Sequence, residues 1–249
     1  MKKILFIGLL SFLLAAIWQL PLSYAKPHIE KLTQGKVSLG ETSGSLWRGT
    51  AKDVTVNNIP LGKLDWQIQP LKSLLALSLK SDFQLSGDEI KAQGNIAISA
   101  NKKITLNNTD FEVDAVFINS LQNKAKLSGE IQGKLKYAEI HNKNLPIIDG
   151  IIDWKEGALN SPIKLPAGNY NAIITPESGD LKIKLTSSDA PAELNGDITL
   201  KKDWRYNSNL IVKASDKGLN SMLKFTGKQQ ADGSFAFKNT GDLSPFIGR

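Results

Sequence analysis

The chain of 249 residues has no cysteine, only two methionines and two histidines, and just three arginines, Arg48, Arg205 and Arg249. Without cysteine there is no disulfide framework, thiolate zinc site, iron–sulfur cluster or cysteine nucleophile, so any catalysis falls to oxygen and nitrogen groups. The same absence agrees with an oxidising compartment, where an unpaired thiol is a liability. Few arginines and no run of four basic residues leave neither a phosphate-tracking stripe nor a bidentate base reader, which argues against nucleic acid as a partner. His28 and His141 have no partner at metal-ligand spacing and read as solvated side chains. The Gly-x-Ser-x-Gly elbow, the Walker loop and a Gly-x-Gly-x-x-Gly turn are missing too. Adjacent acids such as Asp88-Glu89 fall in turn sequence, where their carboxylates point apart and solvation explains them. No catalytic, cofactor-binding or metal-binding residue is expected.

Long hydrophobic runs are absent except at one place. Lys2 and Lys3 precede residues 4–20 (ILFIGLLSFLLAAIWQL), which carry no charge. The apolar body is Ile4, Leu5, Phe6, Leu9, Leu10, Phe12, Leu13, Leu14, Ile17 and Trp18, and the run extends to Leu22 if Gln19 and Pro21 are tolerated. That length approaches the roughly 17–25 residues that span a bilayer. A retained signal anchor and a signal peptide cleaved after Ser23-Tyr24-Ala25 both fit; length favours the anchor, with Trp18 and Tyr24 at the far interface. By the positive-inside rule residues 1–3 are then cytoplasmic, residues 4–22 form the transmembrane helix, and residues 23–249 lie across the membrane. Subtracting Lys2 and Lys3 from the net charge of +7 leaves +5. It is spread over lysines that alternate with apolar residues, as in Lys182-Ile183-Lys184-Leu185, the pattern of a wet sheet face.

A short linking helix is expected over residues 24–34, with Pro27 in its first turn and Gly35 as its stop. From Lys36 onward period-2 alternation dominates. Leu64, Trp66 and Ile68, then Leu75, Leu77 and Leu79, Leu181, Ile183 and Leu185, and Ile198 and Leu200 read as half-buried strands. Turn chemistry separates the runs at Asn57-Asn58, Ser86-Gly87-Asp88, Asp149-Gly150, Glu156-Gly157, Ser178-Gly179-Asp180, Asn195-Gly196-Asp197 and Asp232-Gly233. The form Leu, small polar, Gly, acid recurs at Leu85, Leu127 and Leu194 and reads as a repeated hairpin device. The expectation is a mainly β fold, a long twisted antiparallel meander, preceded by the transmembrane helix and the linking helix. Helical interruptions are expected at residues 70–76 and 115–122, while residues 217–225 fit either helix or strand. No Pro-, Gly- or Ser-rich linker divides residues 23–249, which favours a single domain with a weak seam near residues 141–146.

One cluster stands out, Thr42-Ser43-Gly44-Ser45-Leu46-Trp47-Arg48-Gly49-Thr50-Ala51. Gly44 and Gly49 frame a tryptophan, which suggests a tight turn or bulge with Trp47 plugging the mouth of the core, or a contact for a partner or lipid. Gly44, Ser45, Leu46, Trp47 and Gly49 are therefore the candidate structural or contact residues. This stretch follows Gly35-x-Val37-x-Leu39 and precedes Leu64-x-Trp66-x-Ile68-x-Pro70. Further along come Leu127-Ser128-Gly129-x-Ile131, Gly150-x-Ile152-x-Trp154, and Asp232-Gly233-Ser234-Phe235 leading to Gly241-Asp242-Leu243. Over nearly its whole length the chain resembles the type II secretion system protein N family. That resemblance implies a single-pass inner-membrane protein of a Gram-negative envelope with a periplasmic β domain. It implies an accessory part, not an enzyme, whose partners are other components of the machinery that exports folded proteins across the outer membrane. The sheet is also similar to the grooved β structures of AsmA-type envelope proteins. A lipid-binding or lipid-transfer groove is thus the second reading, and it requires apolar faces that curve into a trough without a covering layer.

Overall fold

The computed structural model describes residues 20–122, 125–161, 165–215 and 217–244. The body of the expected transmembrane helix, residues 4–19, lies outside the described residues, among which no helix is long and apolar enough to cross a membrane. The chain is mainly β and divides into two compact units, residues 1–97 and 98–249.

The first unit contains helix α1 (Leu22–Leu32), strands β1 (Val37–Ser38), β2 (Thr42–Gly44), β3 (Arg48–Val56) and β4 (Ile59–Ile68), helix α2 (Pro70–Ala76), strand β5 (Ser78–Ser86) and all but the last two residues of β6 (Ile90–Ser99). Its hydrogen-bonded order is β1-β3-β4-β5-β6, with β2 also on β3. Asn57 and Asn58 turn β3 into β4 with φ of 50° and 65°, the left-handed pair that a two-residue hairpin needs and asparagine tolerates. Helix α1 begins and ends two residues earlier than expected. Pro27 falls inside it, past the first turn, and Gln34 and Gly35 take left-handed φ just beyond its end. Leu22 is fully buried, and Ile29 packs onto a core of Leu39, Ala51 and Val54 that Leu64 and Trp66 complete. Lys26 Nζ donates to the Gly40 carbonyl at 2.9 Å and ties the helix down.

The second unit contains β7 (Ile104–Asp114), α3 (Ala115–Leu121), β8 (Lys126–Ile140), β9 (Ile147–Ser161), β10 (Leu165–Glu177), β11 (Asp180–Ser188), β12 (Ala192–Leu200), β13 (Arg205–Ala214), α4 (Lys217–Thr226), β14 (Lys228–Gln229) and β15 (Phe235–Asp242). The order β7-β8-β9-β10-β11-β12-β13-β15-β14 is the expected antiparallel meander, with one short strand added outside β15. No pairing among the described residues closes either set of strands into a barrel.

The strands are longer than the turn signals suggested, 15 residues in both β8 and β9. The reason is that Asp149-Gly150, Glu156-Gly157 and Asn195-Gly196-Asp197 lie inside strands. At Gly196, midway along β12, a Cβ would come within 2.3 Å of the Asn209 carbonyl oxygen on β13. Glycine there serves the close approach of a neighbouring backbone, not a hairpin. The Leu-polar-Gly-acid form is accordingly no common device. Only its first copy leaves a strand end, the second forms a bulge at Gly129 (φ 96°) in β8, and the third runs straight through β12. Leu75 and Leu77 likewise do not form a strand with Leu79. Pro70 at the first helical position and the good helix formers after it make α2, and Leu77 ends that helix with φ 48°.

Residues 217–226 settle as a helix whose Leu219 and Leu223, four apart and so on one stripe, bury against Ala192 and Phe235. Helix α3 is capped by the Asp114 carboxylate, which accepts from the Val116 N–H at 2.8 Å, and it buries Ala115 and Phe117. In the second unit Ile131, Trp154 and Tyr170 stand across from one another in register, as do Gly133, Ile152, Ala172 and Leu185. Residues in register share a face, so one side of this sheet carries apolar rows across β8 to β11, whereas the other carries Lys134, Ile151, Ile173, Lys184 and Asp197.

Candidate interaction surface

The Gly44 to Gly49 segment folds as the tip of the β2–β3 hairpin, with Gly44 opposite Gly49. Gly44 sits at φ 87°, and a Cβ there would come within 2.5 Å of the Arg48 carbonyl oxygen. The Ser45 N–H donates to that same oxygen at 2.9 Å, and the Arg48 N–H donates to Ser45 Oγ at 3.2 Å, closing the loop. Gly49 answers to a different tryptophan from the one inside the motif. Its Cβ would meet Trp66 Cζ2 at 2.5 Å, because Trp66 is the cross-strand partner of Gly49 and lays its ring over it. Trp66 Nε1 then donates to the Leu46 carbonyl at 3.0 Å. Trp66, itself half-buried, packs onto the core of Leu39, Ala51 and Val54 at this end, and Trp47 is half-buried on the loop.

Three chain segments meet at this tip. The Leu46 N–H donates to the Leu20 carbonyl at 3.1 Å and Pro21 bridges to Ser45, while the Trp47 carbonyl accepts from the Ile68 N–H at 2.7 Å. The motif is therefore a clasp joining the start of the described chain to the end of β4. Helix α2 leaves from the same end, held by polar contacts and not by its leucines. Ser73 Oγ donates to the Gln69 carbonyl at 2.7 Å and accepts from the Lys80 N–H at 2.9 Å. Leu71, Leu74, Leu75 and Leu77 are 79%, 74%, 87% and 82% exposed. Four leucines in one short segment form an apolar patch on the order of several hundred Å², the size at which exposure marks an interaction site.

The recess beside the clasp, about 630 Å³, is lined largely by polar side chains, and its two aspartates are held by neighbours. Thr50 Oγ1 donates to Asp65 Oδ1 at 2.5 Å, Lys63 lies 2.8 Å from the same carboxylate, and Gln69 Nε2 and the Asn95 amide both donate to Asp82. Lys63 first and Thr50 second hold the Asp65 carboxyl below its ordinary range. In the second unit a recess of about 210 Å³ opens on the apolar face, lined by Ile131, Ile152, Trp154, Tyr170, Ala172 and Leu185 among others. The Trp154 and Tyr170 rings pack 5.5 Å apart, and Trp154 Nε1 is anchored on the Ser128 carbonyl at 3.0 Å. The pairing of rings with glycines recurs as Phe111 over Gly133 and Tyr206 over Gly241, each pair in cross-strand register. A glycine within an alternating run was the available sign of this device, but its partner ring is distant in sequence.

His28 Nδ1 lies 3.1 Å from the Tyr24 carbonyl, one helical turn back, and His141 sits beside Asn142 in the β8–β9 loop. No group of three or more His, Asp or Glu side chains among the described residues is placed to hold a metal ion. What fold and surface define is a β scaffold with an exposed leucine patch on α2 and an open apolar recess around Trp154 and Tyr170. Residues 35–238 match the family described as "Type II secretion system (T2SS), protein N". The chain belongs to that family. It is 22% identical over 212 residues to the "Type II secretion system protein N" of Vibrio cholerae serotype O1 (strain ATCC 39315 / El Tor Inaba N16961), covering 80% of this chain and 82% of the relative. No solved structure matches it.

Proposed function

We propose that the protein is an inner-membrane-anchored accessory component of a type II secretion system. In this reading a single helix within the uncharged segment that starts at Ile4 holds it and ends before Pro21, which is extended and bridges to Ser45, while Leu22 is already buried in the first unit. The β domain lies in the periplasm, and the protein supports export of folded proteins across the outer membrane by binding other components of the machinery. The observation that carries the reading is the family match, which covers residues 35–238 and so involves strands of both units. Strand addition is the binding mode that the fold offers. β14 pairs only with Phe235 and Ala236, so among the described residues the outer edge of β15 from Phe237 onward has no strand beside it. Such an edge accepts a partner strand through main-chain hydrogen bonds.

Photocrosslinking in intact envelopes tests this, with the probe at Thr240 on that edge and at Asp88 as a control. Protein adducts of defined mass are expected at Thr240 alone, and they should vanish when the other secretion components are not expressed. Normal secretion from cells lacking the protein, together with a silent Thr240, would remove the reading.

The second reading, a periplasmic lipid groove, is favoured by the apolar recess around Trp154 and Tyr170. Its volume of about 210 Å³ falls below the roughly 300–1,000 Å³ of ordinary ligand sites, so it suits a segment of an acyl chain and not a whole lipid. Lipid adducts from a probe at Leu185, with none to protein at Thr240, would put this reading first.

A further inference from the structure

The leucines of α2 are left over by both readings, since they belong neither to the β15 edge nor to the recess of the second unit. We propose that α2 is a membrane-contact element whose leucines enter the interfacial layer of the bilayer that holds the uncharged segment preceding Leu20. This rests on the anchoring proposed above.

The path of the chain is the first argument. Leu20 and Pro21 are fastened to Leu46 and Ser45, and Trp47 receives the N–H of Ile68, two residues before α2 begins. The uncharged N-terminal segment thus enters the first unit at the same end of the sheet from which α2 departs. A bilayer around that segment lies against this end. Charge is the second argument: residues 69–81 (QPLKSLLALSLKS) contain Lys72 and Lys80 and no acid, which suits anionic headgroups. Third, Tyr24 at the start of α1 is 69% exposed at this same end, where an amphipathic ring is favoured at a membrane interface. With seven residues α2 is far too short to span, so it lies in the interface.

A chain without cysteine makes the test direct. Single-cysteine variants Leu75→Cys, Leu10→Cys and Asp88→Cys of the full chain, each carrying an environment-sensitive fluorophore, are reconstituted into phosphatidylglycerol-containing vesicles with and without brominated lipid. Asp88 lies past the opposite end of β5. Quenching of twofold or more is expected at positions 10 and 75, and none at 88. Quenching at 10 with position 75 no different from 88 would overturn the α2 contact and leave the anchor standing. Quenching at 75 but not at 10 would support the contact and remove the anchor; quenching at neither would remove both.

Discussion

Helices α2 and α4 carry similar leucine stripes with opposite fates. In α4, Leu219 and Leu223 bury against Phe235; in α2, Leu71, Leu74 and Leu75 have the spacing of one helical face and bury nothing. Amphipathic spacing creates the stripe, but the path of the chain decides whether it meets a core. Helix α4 has ten residues and joins β13 to the last strands, which lets it lie back over Ala192 and Val212. Helix α2 has seven, joins the adjacent strands β4 and β5, and is pinned at both ends by Gln69, Ser73 and Lys80. It continues the end of the sheet and does not cover its face.

The sharpest way to break this contrast is to truncate one member of each set. Phe235→Ala removes a fully buried ring from beneath α4 and should cost about 3–5 kcal/mol in urea unfolding. Leu75→Ala should stay within about 0.5 kcal/mol of the parent. A loss above roughly 2 kcal/mol at Leu75 would mean that the α2 leucines are covered in solution.

The two tryptophans of the clasp sharpen it further. Both rings are half-buried, but Trp66→Ala removes one packed onto the Leu39, Ala51 and Val54 core and over Gly49, with its hydrogen bond to Leu46, and about 3 kcal/mol is expected; Trp47→Ala, on the loop outside that core, should cost about 1 kcal/mol. The reverse order in thermal or urea unfolding would assign the core packing at this end to Trp47. Gly44→Ala comes next, at about 1–2 kcal/mol for a side chain forced into left-handed backbone, with the Arg48 carbonyl in its way. A stability equal to the parent's would show that the hairpin tip can relax, and the clasp would then be looser than its hydrogen bonds imply.

These positions also show what could be read from sequence. Alternation at Leu181, Ile183 and Leu185 gave β11, and Asn57-Asn58 and Ser178-Gly179 gave true hairpins, because both signals are local. Pro70 marked α2 for the same reason. What failed was the meaning of glycine: Gly150, Gly157 and Gly196 looked like turns and are strand residues, Gly150 and Gly196 against the backbone of a neighbouring strand and Gly157 against the Trp154 ring of its own strand. The motif around Trp47 was visible as unusual, yet its roles divide among Leu20, Trp66 and Ile68, which only the strand register brings together.

The smallest effect separates the ion pairs of the two units. Glu41 and Lys52 of the first unit pair at 3.0 Å with both side chains largely in solvent. In the second, Tyr137 Oη donates to Glu139 Oε2 at 2.5 Å, and Lys103 Nζ lies 3.2 Å from the same oxygen with both charged side chains more than half covered. The hydrogen bond to Glu139, then burial, push the Tyr137 phenol up to about 12, while the bond from Tyr137, ahead of that from Lys103, holds Glu139 below its ordinary range. A phenol raised on folding contributes stability that is complete below its unfolded value of about 10 and is lost as pH rises from there towards about 12. A depressed carboxyl works at the other limit: its contribution is present above about 4 and is lost as pH falls through the folded value. Tyr137→Phe should therefore flatten the alkaline limb of the stability profile, by about 1 kcal/mol or less, and shrink the acid limb as well, since Glu139 loses its donor. Lys52→Met should move neither limb. An alkaline limb that survives Tyr137→Phe would assign the titration to other groups and leave the two ion pairs energetically alike.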